Sequence, residues 1–114
     1  MDDCLFCKII AGEIPSKKIY EDEKCYAFYD ISPQAPVHFL VIPKTHIKDA
    51  NALNAENADV VAHAYVKIAE IAKTLGIAED GYRIVNNCGK NGQQSVAHLH
   101  FHVLGGRMMK WPPG

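Results

Sequence analysis

The most informative stretch of the sequence is His98-Leu99-His100-Phe101-His102-Val103-Leu104, in which histidines alternate with apolar residues. Successive side chains of a strand point to opposite faces of its sheet. The alternation therefore predicts a strand whose apolar side chains enter the core while the three imidazoles share the other face. One histidine on such a strand is usually structural, but three in register indicate a functional set.

The segments around this strand predict a sheet with one long and one short helix. Helical spacing of apolar residues predicts helices at 4–11 and 54–75, with Asn54 as N-cap and Gly76 just beyond the C-terminus. His63 is expected on the surface of the long helix. Further strands are predicted at 19–21, 25–29, 37–42 and 82–87. This order predicts an α+β fold built on an antiparallel sheet of about five strands.

The composition limits the classes of protein that the chain can represent. Its 114 residues, 48% of them hydrophobic, predict a single domain over 1–114. A net charge of −1 without charged runs argues against binding a nucleic-acid backbone as the main role. No apolar run reaches the roughly 20 residues of a membrane span, and the acidic start, Met1-Asp2-Asp3, does not resemble a secretory signal. We therefore expect a cytoplasmic protein with reduced thiols.

Two kinds of chemistry fit the histidine set. Metal binding by all three is disfavoured, because His98 and His102 on one strand would lie roughly 13 Å apart. Nucleophilic attack on phosphorus fits better, since a neutral imidazole with a pKa of about 6.5 is a competent nucleophile. The central His100 suits that role, with a carbonyl holding its Nδ1 proton. His102 and Ser95 are then placed to donate to phosphate oxygens, helped by backbone N–H groups of the glycine-bearing loop at 89–95.

The same stretch resembles the histidine triad motif, His-φ-His-φ-His-φ-φ with φ apolar, of a superfamily of nucleotide hydrolases and transferases. Residues 30–36, 38–44 and 105–114 are similar to the Hint branch of that superfamily, the purine nucleoside phosphoramidases. The similarity of pattern runs over nearly the whole chain.

The resemblance implies cleavage of purine nucleoside 5′-monophosphoramidates or aminoacyl adenylates to AMP or GMP, without a catalytic metal. His100 would form the covalent nucleotidyl-histidine, oriented by the His98 carbonyl, and His38 would complete the catalytic set of His98, His100, His102 and Ser95. The nucleotide-binding residues would be Phe6, Ile9, Phe28, Asp30, Ile31, Leu40, Asn87, Gln94, Ser95, His100 and His102. Of these, Asp30 would accept the ribose hydroxyls and the apolar residues would enclose the purine. Without the resemblance, Asp30 is a turn residue and the apolar ones are core.

The resemblance also implies a homodimer whose two sheets join into one, with each C-terminal tail reaching toward the partner's active site. Trp111, near that end, is expected to be exposed, as a contact residue would be.

The pair Cys4 and Cys7 has the spacing of a zinc knuckle, but one such pair is only half a site. A packed pair of thiols or a redox pair fits the spacing as well. Many histidine triad proteins of bacterial type carry this pair with two histidines as a structural zinc site, whereas other Hint members lack the cysteines, and the resemblance implies that the matching histidines here are His46 and His98. In that case His98 is structural, which strengthens the assignment of His100 as nucleophile.

Two other functions remain open from the sequence. The same histidines would serve a dinucleoside polyphosphate hydrolase, although the short chain and its Trp111-Pro112-Pro113 ending favour the phosphoramidase branch. A non-catalytic nucleotide-binding or scaffold protein would retain the pocket and use its surface for partners.

Overall fold

The computed structural model describes residues 3–114, which form two α-helices, a short 3-10 helix and five strands. In chain order these are α1 (Leu5–Ile10), β1 (Lys18–Glu21), β2 (Cys25–Tyr29), β3 (Val37–Pro43), the 3-10 helix (Ala50–Ala52), α2 (Asp59–Thr74), β4 (Tyr82–Val85) and β5 (Phe101–Gly105). Neighbouring strands are antiparallel, in the order β1-β2-β3-β5-β4. The predicted α+β fold is confirmed.

Each face of the sheet packs against one helix. One core combines α2 residues such as Ile68 with Phe39, Leu99 and Val103, all with almost no exposed surface. On the other face, Phe6 and Ile9 of α1 pack with Tyr26, Phe28, Leu40 and Ile42. The alternation predicted for the histidine stretch is therefore correct, because its apolar residues enter the α2 core. The imidazoles of His98 and His100 contact Phe6 on the α1 side.

The long helix is shorter than predicted. It begins at Asp59, and Asn54 is not its N-cap. Instead, the Asn54 side chain accepts hydrogen bonds from the backbone N–H groups of Glu56 and Asn57, which closes a separate turn. The predicted C-terminus is correct: Leu75 is the C-cap, and Gly76 follows with φ +77°.

Two strands next to the histidines are also shorter than predicted. β4 ends at Val85 and β5 begins at Phe101, so His98 and His100 precede the regular ladder. The backbone there bonds elsewhere: the Leu99 N–H donates to the Ile47 carbonyl at 2.6 Å, and the Asn86 side chain donates to the His100 carbonyl at 2.9 Å.

A polar cluster at the β1–β2 turn joins that turn to α2. The Asp22 carboxylate accepts hydrogen bonds from the Tyr20 hydroxyl, the backbone N–H groups of Lys24 and Cys25, and His63 Nε2, each at 2.7–2.8 Å. His63 is thus half-buried and bonded rather than free on the surface. No helix within residues 3–114 is both long enough and apolar enough to cross a membrane.

We predict that Asp22→Ala lowers the free energy of unfolding by about 1–3 kcal/mol, because it leaves half-buried donors without an acceptor. Denaturant unfolding measures the loss, and Glu23→Ala, an exposed neighbour in the same turn, should change stability little. Burial raises the pKa of Asp22, but the hydrogen bonds from Tyr20, Cys25, Lys24 and His63 outweigh it and lower the pKa below its usual value.

The sign of the pH dependence follows from that lowered pKa. The stabilisation by Asp22 is full above its unfolded-state pKa of about 3.9 and is lost as the pH falls further. The difference between the wild type and Asp22→Ala should therefore shrink in acid. An equal difference at pH 7 and pH 2 would contradict this account.

Candidate active site and metal centre

His100 is held as a neutral imidazole with one free nitrogen. Its Nδ1 lies 2.7 Å from the His98 carbonyl oxygen, which can only accept, so Nδ1 carries the proton and Nε2 is left with its lone pair. The side chain is 2% exposed. Burial lowers the pKa of His100, against the opposing effects of the His98 carbonyl and the Asp30 carboxylate. A buried, neutral imidazole with a bare Nε2 is suited to nucleophilic attack.

His102 has the opposite polarity, and a chain of hydrogen bonds fixes it. The Gln34 backbone N–H donates to His38 Nδ1 at 3.0 Å, so the His38 proton is on Nε2. That Nε2 donates to His102 Nδ1 at 3.0 Å, which leaves the His102 proton on its outer nitrogen, Nε2. The rings of His100 and His102 lie 5.1 Å apart. An acceptor nitrogen and a donor nitrogen are therefore presented side by side.

Asp30 stands beside this pair of histidines. Its Oδ2 lies 3.5 Å from His38 Nε2 and 3.8 Å from His102 Nδ1. Its other oxygen accepts from the Ser32 N–H at 2.7 Å. A pocket of about 680 Å³ opens over Asp30 and His38 and is lined also by Tyr29, Ile31, Pro33, Pro36 and residues 15–17. This volume is within the usual range for small-molecule sites.

The apolar residues proposed for the purine divide into two groups. Phe6, Phe28 and Leu40 are buried next to the histidines, with the Phe6 and Phe28 ring centroids 5.7 Å apart. Ile9 is buried in the same core. Ile31, by contrast, is 97% exposed at the mouth of the pocket.

The three predicted site residues of the loop at 87–95 do not bond to the histidines. The Asn87 side chain donates to the Gly92 carbonyl at 2.6 Å, and Gln94 braces the loop through Gly89, Lys48 and Val96. Ser95 is exposed and lines a depression beside Cys4 and His46. Their contacts with phosphate remain predictions.

The sequence reasoning missed three groups that position the histidines. The Gln34 N–H and the Pro43 carbonyl are backbone groups, so their contacts cannot be predicted from the type of residue. Asn86 was assigned to a strand. It lies just beyond β4, and nothing in the sequence pattern indicates its contact with the His100 carbonyl.

Four side chains from three separate segments of the chain, His98 among them, converge into a second cluster. Cys4 Sγ, Cys7 Sγ, His46 Nδ1 and His98 Nδ1 all lie within 4.8 Å of one another. The S···N distances are 3.3 Å from Cys4 to His98, 3.4 Å from Cys7 to His46 and 3.6 Å from Cys7 to His98. A zinc tetrahedron with Zn–S of about 2.3 Å and Zn–N of about 2.0–2.1 Å has S···N edges of about 3.5 Å.

The surrounding hydrogen bonds favour metal binding at these four residues. His98 Nε2 donates to the Pro43 carbonyl at 2.8 Å, which leaves Nδ1 bare and aimed at the two sulfurs. The Cys7 N–H donates to Cys4 Sγ at 3.3 Å. Burial, together with Cys4, raises the pKa of Cys7 to about 11, a thiol that a bound dication would convert to thiolate. The donor set and its spacing fit a structural zinc ion.

Two other groups of potential ligands are arranged for hydrogen bonding instead. In the set of Asp30, His38 and His102, the nitrogen of His38 that faces the others already carries a proton. In the set of Asp22, Cys25 and His63, the histidine donates to the carboxylate. Burial there raises the pKa of Cys25 to about 12, which keeps it a thiol.

Comparison with known proteins identifies close relatives of this chain. The model of the HIT domain matches residues 11–109. An uncharacterised HIT-like protein of Synechococcus elongatus is 49% identical over 113 residues, which cover 99% of this chain and 98% of the relative. The crystal structure of a HIT family hydrolase from Legionella pneumophila superposes with a TM-score of 0.96 at 47% identity, covering 98% of this chain and 100% of that one.

A more distant structure carries a more specific description. It is a histidine triad nucleotide-binding protein from Candida albicans, with a TM-score of 0.83 and 35% identity, covering 96% of this chain and 83% of that one.

We predict that His102 stays neutral down to mildly acidic pH. Burial, with His100 and His38 close by, lowers its pKa to about 4, and Asp30 opposes this shift. Nitrogen-15 NMR of labelled histidine should show His102 titrating near pH 4, and at still lower pH in Asp30→Asn. Because the unfolded-state pKa is about 6.5, protonation favours unfolding as the pH falls from about 6.5 toward 4. Titration of His102 near pH 6.5 would contradict the assigned environment.

Proposed function

This chain belongs to the HIT domain family, and from that membership we propose that it hydrolyses purine nucleoside 5′-monophosphoramidates or aminoacyl adenylates, with AMP or GMP as the nucleotide product. The family relatives support a nucleotide-binding hydrolase. The narrower choice of substrate is supported by the likeness of residues 30–36, 38–44 and 105–114 to the Hint branch.

One observation carries the proposal: the 2.7 Å contact between His100 Nδ1 and the His98 carbonyl, which leaves Nε2 free to attack. In the proposed reaction His100 Nε2 bonds to the α-phosphorus as the P–N bond breaks, and the amine leaves with a proton taken from solvent, which the attacking water of the second step returns. Water then attacks phosphorus, and the nucleoside monophosphate departs from His100. Each half of this reaction has a lower barrier than direct attack by water on the substrate.

The neighbouring residues have roles that follow from their protonation. His102 Nε2–H is a donor for the phosphate oxygens, where charge develops during attack. His38 keeps His102 in that tautomer. We propose that Asp30 accepts the ribose hydroxyls from its position beside the pocket, and that Phe6, Phe28, Leu40, Ile9 and Ile31 enclose the base. Ser95, Asn87 and Gln94 are proposed to contact the phosphate and the leaving group.

We predict that His100→Ala lowers kcat by on the order of 10³-fold or more, because the covalent step is lost. The substrate is adenosine 5′-phosphoramidate with a tryptamine leaving group, and release of the amine is measured. His63→Gln, on the α2 side of the sheet, is the matched histidine substitution and should retain activity. AMP affinity, measured by calorimetry, should persist in His100→Ala.

Two outcomes would overturn the proposed reaction. A wild type that binds AMP but releases no amine is a non-catalytic nucleotide-binding protein. A wild type that cleaves diadenosine polyphosphates and leaves the phosphoramidate intact is the dinucleoside polyphosphate hydrolase.

We also propose that Cys4, Cys7, His46 and His98 hold a structural zinc ion. The support is the convergence of the four ligand atoms within 4.8 Å and the free Nδ1 of His98. Zinc there stabilises the folded state by joining α1 to two distant segments. The proposed hydrolysis uses no metal ion.

Protein purified without added metal should contain about one equivalent of zinc, and Cys4→Ser/Cys7→Ser should contain less than about a tenth. Elemental analysis measures the content. Cys88→Ser removes a thiol outside the four-residue group and should keep the zinc. Wild-type protein with less than about a tenth of an equivalent would reject the site.

We propose a homodimer and a cytoplasmic location as well. β4 is an edge strand that offers one side for pairing, and Met108 and Trp111 are 92% and 79% exposed near the C-terminus. All four cysteines lie within the described residues and are free thiols, which suits a reducing compartment.

A further inference from the structure

His98 is part of the proposed zinc site and also orients His100 in the proposed active site. Its side chain directs Nδ1 at Cys4 Sγ, 3.3 Å away, while its backbone carbonyl accepts the Nδ1 proton of His100 at 2.7 Å. The imidazole has no exposed surface. A shift of the whole residue that accommodates a change among the cysteines therefore also moves the carbonyl that orients the nucleophile.

Phe6 provides a second connection. It lies between Cys4 and Cys7 in sequence, and its ring packs edge-on against His98 at 5.9 Å and His100 at 5.0 Å between centroids. Anchoring both cysteines fixes this turn of α1, and with it the ring that confines both imidazoles. Two connections therefore join the four ligands to His100: the backbone carbonyl of His98 and the packing of the Phe6 ring.

We propose that His98 is a positioning residue that makes the orientation of His100 depend on occupancy of the Cys4–Cys7–His46–His98 site, so that loss of the metal slows turnover without abolishing nucleotide binding. This inference rests on the proposed zinc site and deepens the proposed function. Two tethers hold the His98 ring, the metal at Nδ1 and the Pro43 carbonyl at Nε2. Without the metal a single tether remains, and the residue, with its backbone carbonyl, is held less firmly.

The effect falls on the chemical step. A nucleophile misplaced by about 1 Å costs about 100-fold in rate. The Asp30 carboxylate lies beside His38 and His102, and the residues that line the pocket over it include none of the four ligands. Removal of the metal should therefore lower kcat by about 10- to 100-fold, while the Kd for AMP should rise by less than about tenfold, roughly 1.4 kcal/mol, because Phe6 is only one of the side chains proposed to enclose the base.

The experiment compares zinc-loaded wild type with the same protein after chelation by 1,10-phenanthroline, at a temperature where circular dichroism shows both forms folded. Three quantities are measured: kcat for the tryptamine phosphoramidate, the affinity and stoichiometry of AMP binding, and the nitrogen-15 NMR signals of His100. A stoichiometry near one shows that the whole population is folded. Zinc added back should restore kcat, and Cys4→Ser/Cys7→Ser should behave as the chelated protein does, with Cys88→Ser as control.

The His100 signals decide between positioning and simple stabilisation. The zinc-loaded form should show one tautomer, protonated at Nδ1, and the metal-free form should show a mixture. Unchanged kcat on zinc removal, or a lower kcat with unchanged His100 signals, overturns the inference, as does a wild type that binds no zinc. If zinc-loaded wild type has no activity, the proposed reaction fails by itself. The NMR comparison then still tests the coupling, with one unchanged tautomer rejecting it.

Discussion

The hydrogen bond from His100 Nδ1 to the His98 carbonyl is the constraint on which the site depends. It selects one of two imidazole tautomers, and burial, which lowers the pKa of His100, keeps that imidazole uncharged. Both effects are needed, because a protonated ring has no lone pair and the other tautomer points its lone pair at a carbonyl. The contact requires a backbone carbonyl two residues before the imidazole, which the segment just ahead of β5 provides.

The second imidazole is set by a separate and longer chain of contacts. It runs from the Gln34 N–H through His38 to His102, and it reverses the polarity found at His100. An acceptor nitrogen and a donor nitrogen are thus placed side by side. His38 and His102 also have lowered pKa values, since burial penalises their charged forms. Two backbone groups, the His98 carbonyl and the Gln34 N–H, fix the tautomers of the site. Neither group can gain or lose a proton as the pH changes, so the site is preorganised.

The pattern of side chains along the sequence predicted much of this architecture. Several contacts that it did not predict are made by backbone groups. The alternation at 98–104 predicted the division between core and histidine face, and the strands and both helices follow apolar periodicity. The predicted start of α2 was wrong because the Asn54 side chain closes a separate turn ahead of the helix. The Gln34 amide and the Pro43 carbonyl escaped notice because every residue has such groups. The grouping of Cys4 with His98, 94 residues away, came from family resemblance.

Burial of so many imidazoles is costly, and the fold offsets that cost by partnering each one. His38, His98 and His100 are buried, yet each ring has a hydrogen-bond partner in the backbone: the Gln34 N–H, the Pro43 carbonyl and the His98 carbonyl. One weak point remains: α1 has only six residues and marginal stability of its own, although its Phe6 confines two of these rings. A metal ion held at the proposed site would tie both ends of its first turn to His98 and so strengthen the element whose Phe6 packs against His100.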